Sequence, residues 1–304
     1  MNNKRLAYLY LIITTSAWGS LYVVSKFVLA SIPPVTVLFF RYLIAAVVLL
    51  GILKINKRDV IEKKDYKYIF LIGFFGYFIS IGAQMIGTKL ANASIASLIN
   101  SMNPVFIIAF AVPILKEKIT LNKVVAVIAS VLGAYIIIGG AGKGGALLGI
   151  AFSIVSVISW SLMSVMVRRI TQKYDAITVT TYAIIVAMIF SAPASIFELM
   201  NTSHGEIFTM TNLICLLYMG IICTGLSHLL WNKSLSMIEA GKCSLFYPVQ
   251  PMVSVFLGFI FLGESINARF IIGALLIISG IVFSMFAGNE NKNENDNEKT
   301  EQAS

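Results

Sequence analysis

The sequence predicts an all-α membrane protein with ten transmembrane helices arranged as two inverted five-helix repeats. Three observations lead to this prediction: few charged residues, ten long apolar segments, and residue types that recur at a fixed spacing. Of the 304 residues, 58% are hydrophobic and only 12% are charged, whereas a soluble domain has roughly 25% charged residues. Much of the surface must therefore face lipid rather than water.

Ten apolar segments are candidates for membrane-spanning helices, which need about 20 residues to cross the hydrocarbon core. Short stretches rich in Lys, Asn, Gly or Pro separate them. The segments are Leu6–Val28, Pro34–Leu53, Tyr68–Thr88, Ala93–Leu115, Val124–Gly140, Ala146–Val167, Ile177–Phe197, Leu213–Asn232, Cys243–Leu262 and Ala268–Phe286. Residues 288–304 are rich in Asn, Glu and Lys, so we expect a disordered tail.

Lys and Arg are distributed unevenly between the two sides of this arrangement. With a cytoplasmic N-terminus at residues 1–5, eighteen of them lie on the cytoplasmic side and four on the outer side, and Arg41 lies within a segment. This positive-inside bias predicts a plasma-membrane protein with both termini in the cytoplasm. The net charge of +9 therefore indicates membrane loops, and we expect the lipid bilayer and a small molecule as partners, not a nucleic acid.

The two halves of the sequence repeat each other. Residue types recur at an offset of 142 in the first two segments of each half and of 147 in the next three; the pairs include Trp18 with Trp160, Pro104 with Pro251, and Glu117 with Glu264. We therefore place one repeat at 6–140, a glycine-rich linker at 141–145 and a second repeat at 146–287. An odd number of helices per repeat inverts the second copy in the membrane.

Inverted repeats are typical of transporters that expose a central site to each side in turn. The sequence thus predicts a secondary transporter that exports or exchanges a small polar metabolite. A channel or a non-transporting scaffold is the alternative. An intramembrane enzyme is less well supported, because no Asp lies in an apolar segment and His204 lies in a loop.

Several short motifs also resemble the EamA-like family of the drug/metabolite transporter superfamily. They are Ala17-Trp18-Gly19-Ser20, Phe40-Arg41-Tyr42, Ala93-Ser94-Ile95-Ala96-Ser97-Leu98, Asn103-Pro104, Lys116-Glu117-Lys118, Tyr247-Pro248-Val249-Gln250-Pro251 and Leu262-Gly263-Glu264. The resemblance covers residues 5–287. It implies a ten-helix transporter of two inverted halves that moves small metabolites such as amino acids.

Polar and aromatic side chains within the apolar segments are candidates for a substrate pathway, since polar groups in lipid usually face a cavity or a partner. Helical spacing places them on one face of segments 1, 3, 4, 6, 8 and 9. Interhelical packing is the alternative role for each of them. The candidates are Trp18, Tyr22, Lys26, Gln84, Asn100, Trp160, Ser164, His228, Trp231, Tyr247 and Gln250.

Prolines and charges mark further candidate positions. Pro104 and Pro251 fall within segments 4 and 9, where a missing backbone donor creates a helix break or hinge. We expect Arg41 to contact a neighbouring helix end, with substrate binding as the alternative. We expect Glu117 and Glu264 to have structural roles, either pairing with basic residues or capping the N-termini of neighbouring helices. Cys215, Cys223 and Cys243 lack the spacing of a metal site, and nothing in the sequence indicates a metal or other cofactor.

The apolar segments contain no Asp or Glu at mid-depth, so His228 is the only candidate proton carrier. We therefore expect a facilitator or exchanger that follows the substrate gradient.

The orientation can be tested with single cysteines at Asn56 and Ser203 in a cysteine-free background. An impermeant thiol reagent added to intact cells should label position 203 and not position 56, because the basic loop at 54–67 is expected to be cytoplasmic. Labelling of position 56 alone would reverse the orientation.

Overall fold

A computed structural model describes residues 3–55, 60–90, 99–100, 102–138, 147–201, 206–262, 268–269, 271–273, 275–280 and 283. Every regular element in these ranges is helical. Helices satisfy their own backbone donors and acceptors, which is what a chain surrounded by hydrocarbon requires. The all-helical part of the fold prediction is therefore confirmed.

In the part of the chain that the structure describes, ten helices, numbered here α1 to α10 in chain order, follow the predicted segments. Two are built from consecutive α and π turns, and α9 is interrupted by a turn at 245–248. The bounds are α1 Asn3–Val28, α2 Pro34–Ile55, α3 Tyr66–Leu71 with Ile72–Ser80 and Ile81–Leu90, α4 Asn103–Leu115, α5 Leu121–Ile138, α6 Leu147–Ile170, α7 Ala176–Asn201, α8 Met210–Tyr218 with Met219–Leu226 and Ser227–Met237, α9 Ala240–Ser244 with Val249–Leu262, and α10 Ile271–Gly280.

Seven of these helices, α1, α2, α3, α6, α7, α8 and α9, are long and apolar enough to cross a membrane. The other three are apolar but shorter in the part of the chain that the structure describes. The protein is therefore a multi-pass membrane protein, and the count of ten spans stays a prediction. The predicted stretch Ala93–Leu98, the linker 141–145 and the tail 288–304 lie outside the described residues.

The first helix of each half packs into the other half. Helix α1 lies against α8 and α9, and α6 lies against α3 and α4. The contacts correspond through the sequence offsets: Thr14 Oγ1 donates to the Ser227 carbonyl at 3.3 Å, and Ser80 Oγ donates to the Ser156 carbonyl at 2.9 Å. Each half thus completes the packing of the other.

Paired small residues bring the helices of the two halves into close contact. A Cβ atom on Gly73 would lie 2.6 Å from the Ala183 carbonyl oxygen and from Val186 Cβ, and one on Gly220 would lie 2.6 Å from Ile44 Cβ. Positions 73 and 220 differ by 147, and 44 and 186 by 142, so the two contacts are equivalent. Close approach of this kind is how membrane helices associate without a hydrophobic driving force between them.

Helices α3 and α8 each contain a π-helical stretch, at Ile72–Ser80 and Met219–Leu226. The starts of the two stretches also differ by 147 residues. π-Helical turns occur frequently at functional sites, and both stretches run directly into residues that line the central cavity described below.

We expect Gly73→Ala to destabilise the protein, because the added methyl group meets backbone that cannot move aside. Overpacking of this kind costs about 1–3 kcal/mol. Gly51→Ala is the matched control: nothing lies within 4 Å of its Cβ position, and Ala is better than Gly in a helix by roughly 1 kcal/mol. Thermal unfolding of the purified protein in detergent should show a lower Tm for the first variant and an equal or higher Tm for the second. Equal effects of the two substitutions would contradict the packing assignment.

Candidate functional site

A central cavity lies where the two halves meet. Its volume is about 40 Å³, which leaves room for a few water molecules and is well below the roughly 300–1,000 Å³ typical of small-molecule sites, so its walls would have to separate to admit a metabolite. Helices α1, α2, α3, α6, α8 and α9 and the residues around the start of α4 contribute to it. The lining residues are Trp18, Leu21, Arg41, Ser80, Ile81, Gln84, Asn100, Asn103, Ser156, Trp160, His228, Tyr247 and Gln250.

Aromatic rings form a cluster around Trp18 at the base of the cavity. Its ring centroid lies 5.4 Å from that of Trp160, 5.4 Å from Trp231 and 5.5 Å from His228. Tyr247 stacks on Trp18 at 6.0 Å and accepts a hydrogen bond from Trp160 Nε1. Distances of this size are those of favourable aromatic pairs. The cluster therefore fixes the shape of the cavity base.

A hydrogen-bonded polar group forms another part of the cavity wall. The Tyr22 hydroxyl accepts hydrogen bonds from Gln84 Nε2 at 3.1 Å and Asn100 Nδ2 at 3.0 Å. Both amides are only partly buried, so they keep hydrogen-bonding capacity for a ligand. Tyr22 itself lies behind them and positions them.

Arg41 and His228 meet at Thr224, in the π-helical stretch of α8. Arg41 Nε donates to Thr224 Oγ1 at 3.0 Å, and His228 Nδ1 lies 2.7 Å from the Thr224 carbonyl oxygen. Arg41 and His228 are each 1% exposed. The prediction of a helix-end contact for Arg41 is therefore wrong: its partner lies in the middle of α8, because the side chain points inward across the bundle.

Other predicted pathway residues lie outside the cavity wall. Ser164 is fully buried and donates back to the Trp160 carbonyl at 3.0 Å, which satisfies its hydroxyl within α6. Trp231 is also fully buried, within the ring cluster and in contact with Trp18. The side chain of Lys26 and the whole of Glu264 lie outside the described residues.

The two predicted helix breaks lie beside the cavity, on the N-terminal side of each proline. Pro104 occupies the first turn of α4, where a missing backbone donor costs little. Pro251 is the third residue of the second part of α9, after a turn in which Val249 N donates to the Phe246 carbonyl. The equivalent bond near Pro104 joins Met102 N to the Ile99 carbonyl. Neither proline lies in mid-helix as predicted.

Glu117 caps the start of α9, one of the two roles considered for it. Lys116 ends α4 in a left-handed conformation with φ of 56°, and the following Glu117 carboxylate accepts from Ala240 N at 2.8 Å and Gly241 N at 3.1 Å. A negative charge at a helix N-terminus is favourable. Glu198, which is not related to Glu117 by the repeat offsets, makes a similar contact at the start of α2, where its carboxylate accepts from Thr36 N at 2.9 Å.

Lys123 completes a charge cluster with the largely buried Glu117 and the partly exposed Glu239, called here the Glu117–Lys123 cluster. Its Nζ lies 2.6 Å from Glu239 and 3.7 Å from Glu117, and its side chain is 5% exposed. Burial acts to raise the pKa of Glu239, but hydrogen bonds and charges from Lys123 and Lys242 outweigh it and leave that pKa lowered. Sequence reasoning missed Lys123, because it stands in a short basic loop that resembles any cytoplasmic loop.

Comparisons with known proteins agree with this architecture. The sequence pattern of the EamA-like transporter family matches residues 5–139 and again residues 147–286. The chain belongs to the EamA-like transporter family. An uncharacterized transporter of Archaeoglobus fulgidus is 27% identical over 90% of this chain and 96% of its own length. An uncharacterized transporter of Clostridium kluyveri is 28% identical over 96% of both chains.

A solved crystal structure also superposes on this EamA-like protein, with a TM-score of 0.80. It is 18% identical and covers 93% of this chain and 98% of that one. The similarity extends over nearly the whole of both chains, and it concerns the fold. The family membership makes the protein a membrane transporter, and its central cavity is the candidate substrate site.

The Glu117–Lys123 cluster should behave as one unit in unfolding experiments on this transporter. Lys123→Met removes the cation beside Glu117, leaves Glu239 with only the more distant Lys242, and is expected to cost about 1–3 kcal/mol. Combining it with Glu117→Gln should cost less than the sum of the single changes, by at least about 0.5 kcal/mol. Lys242→Met, which removes a more exposed partner of Glu239 at 3.5 Å, should have little effect.

Thermal unfolding in detergent measures these differences, and strictly additive effects would contradict the assignment. The pH dependence has a defined sign. The pKa of Glu239 is lowered in the folded protein. Its contribution to the free energy of unfolding is therefore fully present above the ordinary carboxyl pKa and is lost as the pH falls through the folded pKa.

Proposed function

We propose that this protein is a secondary transporter that exports or exchanges a small polar metabolite across the plasma membrane by alternating access. The observation that carries the proposal is the position of the central cavity, between two interlocked halves whose contacts correspond through the sequence offsets. Transporters built from inverted repeats bind substrate at the repeat interface and expose the site by movement of one part against the other.

The packing on one side of the cavity supports an outward-facing state. With both termini in the cytoplasm, the cytoplasmic side of the Trp18 cluster contains the Tyr8–Phe246 ring stack at 5.7 Å. The bond from Arg168 Nη1 to the Leu235 carbonyl, at 2.6 Å, lies on the same side. The Glu117–Lys123 cluster joins α4, α5 and α9 there. These contacts would have to separate for the cavity to open to the cytoplasm.

The paired π-helical stretches supply a place for such movement. A π turn widens the helix and weakens the regular hydrogen-bond ladder. In α8 the Cys223 carbonyl accepts from Trp18 Nε1 at 3.0 Å, so a side chain of the other half takes part. Movement of α1 against α8 would break this hydrogen bond.

The transport proposal can be tested by comparing metabolites outside cells that overproduce the protein, cells that lack it, and cells that produce Trp160→Ala at equal level. At least one polar metabolite should accumulate outside the overproducing cells and return to the background level in the variant, because Trp160 forms part of the cavity base. Equal levels of every extracellular metabolite in all three cultures would contradict the proposal.

The charge of the cavity supports a facilitator or exchanger. Among its described lining residues there is no Asp or Glu, so a carboxylate proton carrier has no candidate there. A pH gradient imposed on proteoliposomes should leave the final distribution of the exported metabolite unchanged. Accumulation that follows the gradient and disappears in His228→Ala, with binding retained, would show proton coupling instead.

A further inference from the structure

Arg41 is a buried cation in the cavity wall without a carboxylate partner among the described residues. Its Nε donates to Thr224 Oγ1, while Nη1 is buried and has no hydrogen-bond partner. Removing a charge from water is costly unless an opposite charge and hydrogen bonds compensate. The ion pairs of Glu62, Asp65, Glu117 and Glu239 are with lysines.

His228 presents a second unpaired atom at the same place. The carbonyl oxygen of Thr224 can only accept, so Nδ1 carries the proton of that hydrogen bond. In the neutral ring Nε2 is then an acceptor, and it is buried without a partner. Arg41 and His228 are both held by Thr224 and both line the cavity, so the same wall contains an unpaired donor and an unpaired acceptor.

The packing of the repeat does not require the arginine. The offset of 142 places Ala183 of α7 at the position equivalent to Arg41 of α2, and Ala183 is also fully buried. Helices α2 and α7 each pack against a π-helical stretch in the same way: Ile44 of α2 contacts Gly220, and Val186 of α7 contacts Gly73. A side chain present in one copy only, and left with a free donor, points to a ligand.

We propose that Arg41 and His228 form a subsite for the carboxylate of an organic substrate that carries an N–H or O–H donor beside it. This inference rests on the proposed function, because it takes the cavity as the transport site. Arg41 Nη1 would donate to the carboxylate, and His228 Nε2 would accept from the neighbouring amine or hydroxyl. The rest of the substrate would lie against the rings of Trp18 and Trp160.

The number of charges favours a carboxylate over a phosphate ester. A guanidinium group matches the planar, singly charged carboxylate. A phosphate monoester carries about 1.5 to 2 negative charges at pH 7, and Arg41 is the single cation in the described lining. Burial in a ring-lined site strengthens such a pairing, since the interaction is screened less than in water.

Tryptophan fluorescence reports on this subsite directly, because the only three tryptophans of the chain are Trp18, Trp160 and Trp231. All three belong to the ring cluster. The probes are the non-aromatic L-amino acids, the corresponding 2-hydroxy acids, the amino-acid amides, inorganic phosphate and sodium chloride. Each is titrated into the purified full-length protein in detergent, with size-exclusion chromatography as a check of folding.

We expect at least one amino or hydroxy acid to give a saturable change in fluorescence and its amide to bind at least tenfold more weakly. Arg41→Gln should weaken the acid at least tenfold and leave the amide unchanged. Arg41→Lys keeps the positive charge but lacks the planar guanidinium group. Its affinity for the acid should lie between those of the unmodified protein and Arg41→Gln. Arg169→Gln, which removes an exposed arginine at the end of α6, should bind as the unmodified protein does.

Several outcomes would overturn the subsite. They are equal binding of acid and amide, full-strength binding by monodisperse Arg41→Gln, a response to phosphate or chloride alone, and no response to any carboxylate. The comparison of acid with amide uses the unmodified protein. It therefore tests recognition of the carboxylate even if Arg41→Gln does not fold.

Counterflow of the bound acid in proteoliposomes separates this inference from the proposed function. A compound that binds through Arg41 but is not moved would overturn transport and leave the subsite. A compound that is moved and bound equally by the unmodified protein and by Arg41→Gln would overturn the subsite and leave transport.

Discussion

The insertion of α1 between α8 and α9, and of α6 between α3 and α4, is the contact on which the rest of the structure depends. A polar group that is not satisfied inside hydrocarbon costs several kcal/mol, so the widened helices need partners for their free groups. The indole of Trp18 donates to the Cys223 carbonyl, and the hydroxyl of Ser234 donates in the opposite direction, to the Ala7 carbonyl. Each half therefore supplies donors that the other half requires.

The same interlocking creates a symmetric framework with an asymmetric interior. Some positions of the cavity lining that are related by the offsets carry different residues: Ile81 corresponds to His228, and Asn103 to Gln250. Glycines and small residues at the helix contacts are kept alike because they determine how closely the helices approach. The lining is free to differ, so one substrate site with distinct sides forms at the centre.

Charges follow the same division between framework and interior. Glu117 and Glu198 accept backbone hydrogen bonds at helix starts, and Asp65, just before α3, accepts hydrogen bonds from Lys173 and Tyr174, which lower its pKa. The described carboxylates thus stabilise helix ends and loops. The cavity keeps a cation, Arg41, and that difference in sign is the basis for expecting an anionic substrate group.

By itself the sequence determined the helical fold, the membrane location, the family and most of the cavity lining. Apolar length and the paired residues are local properties, and Trp18, Trp160, His228, Tyr247 and Gln250 stood out as polar or aromatic groups in lipid. The tertiary structure alone decided which of these groups meet. Helical spacing gives the face of a residue but not the helix opposite it, so the turn of Arg41 towards Thr224, the burial of Ser164 and the pairing of Lys123 with Glu117 could not be predicted.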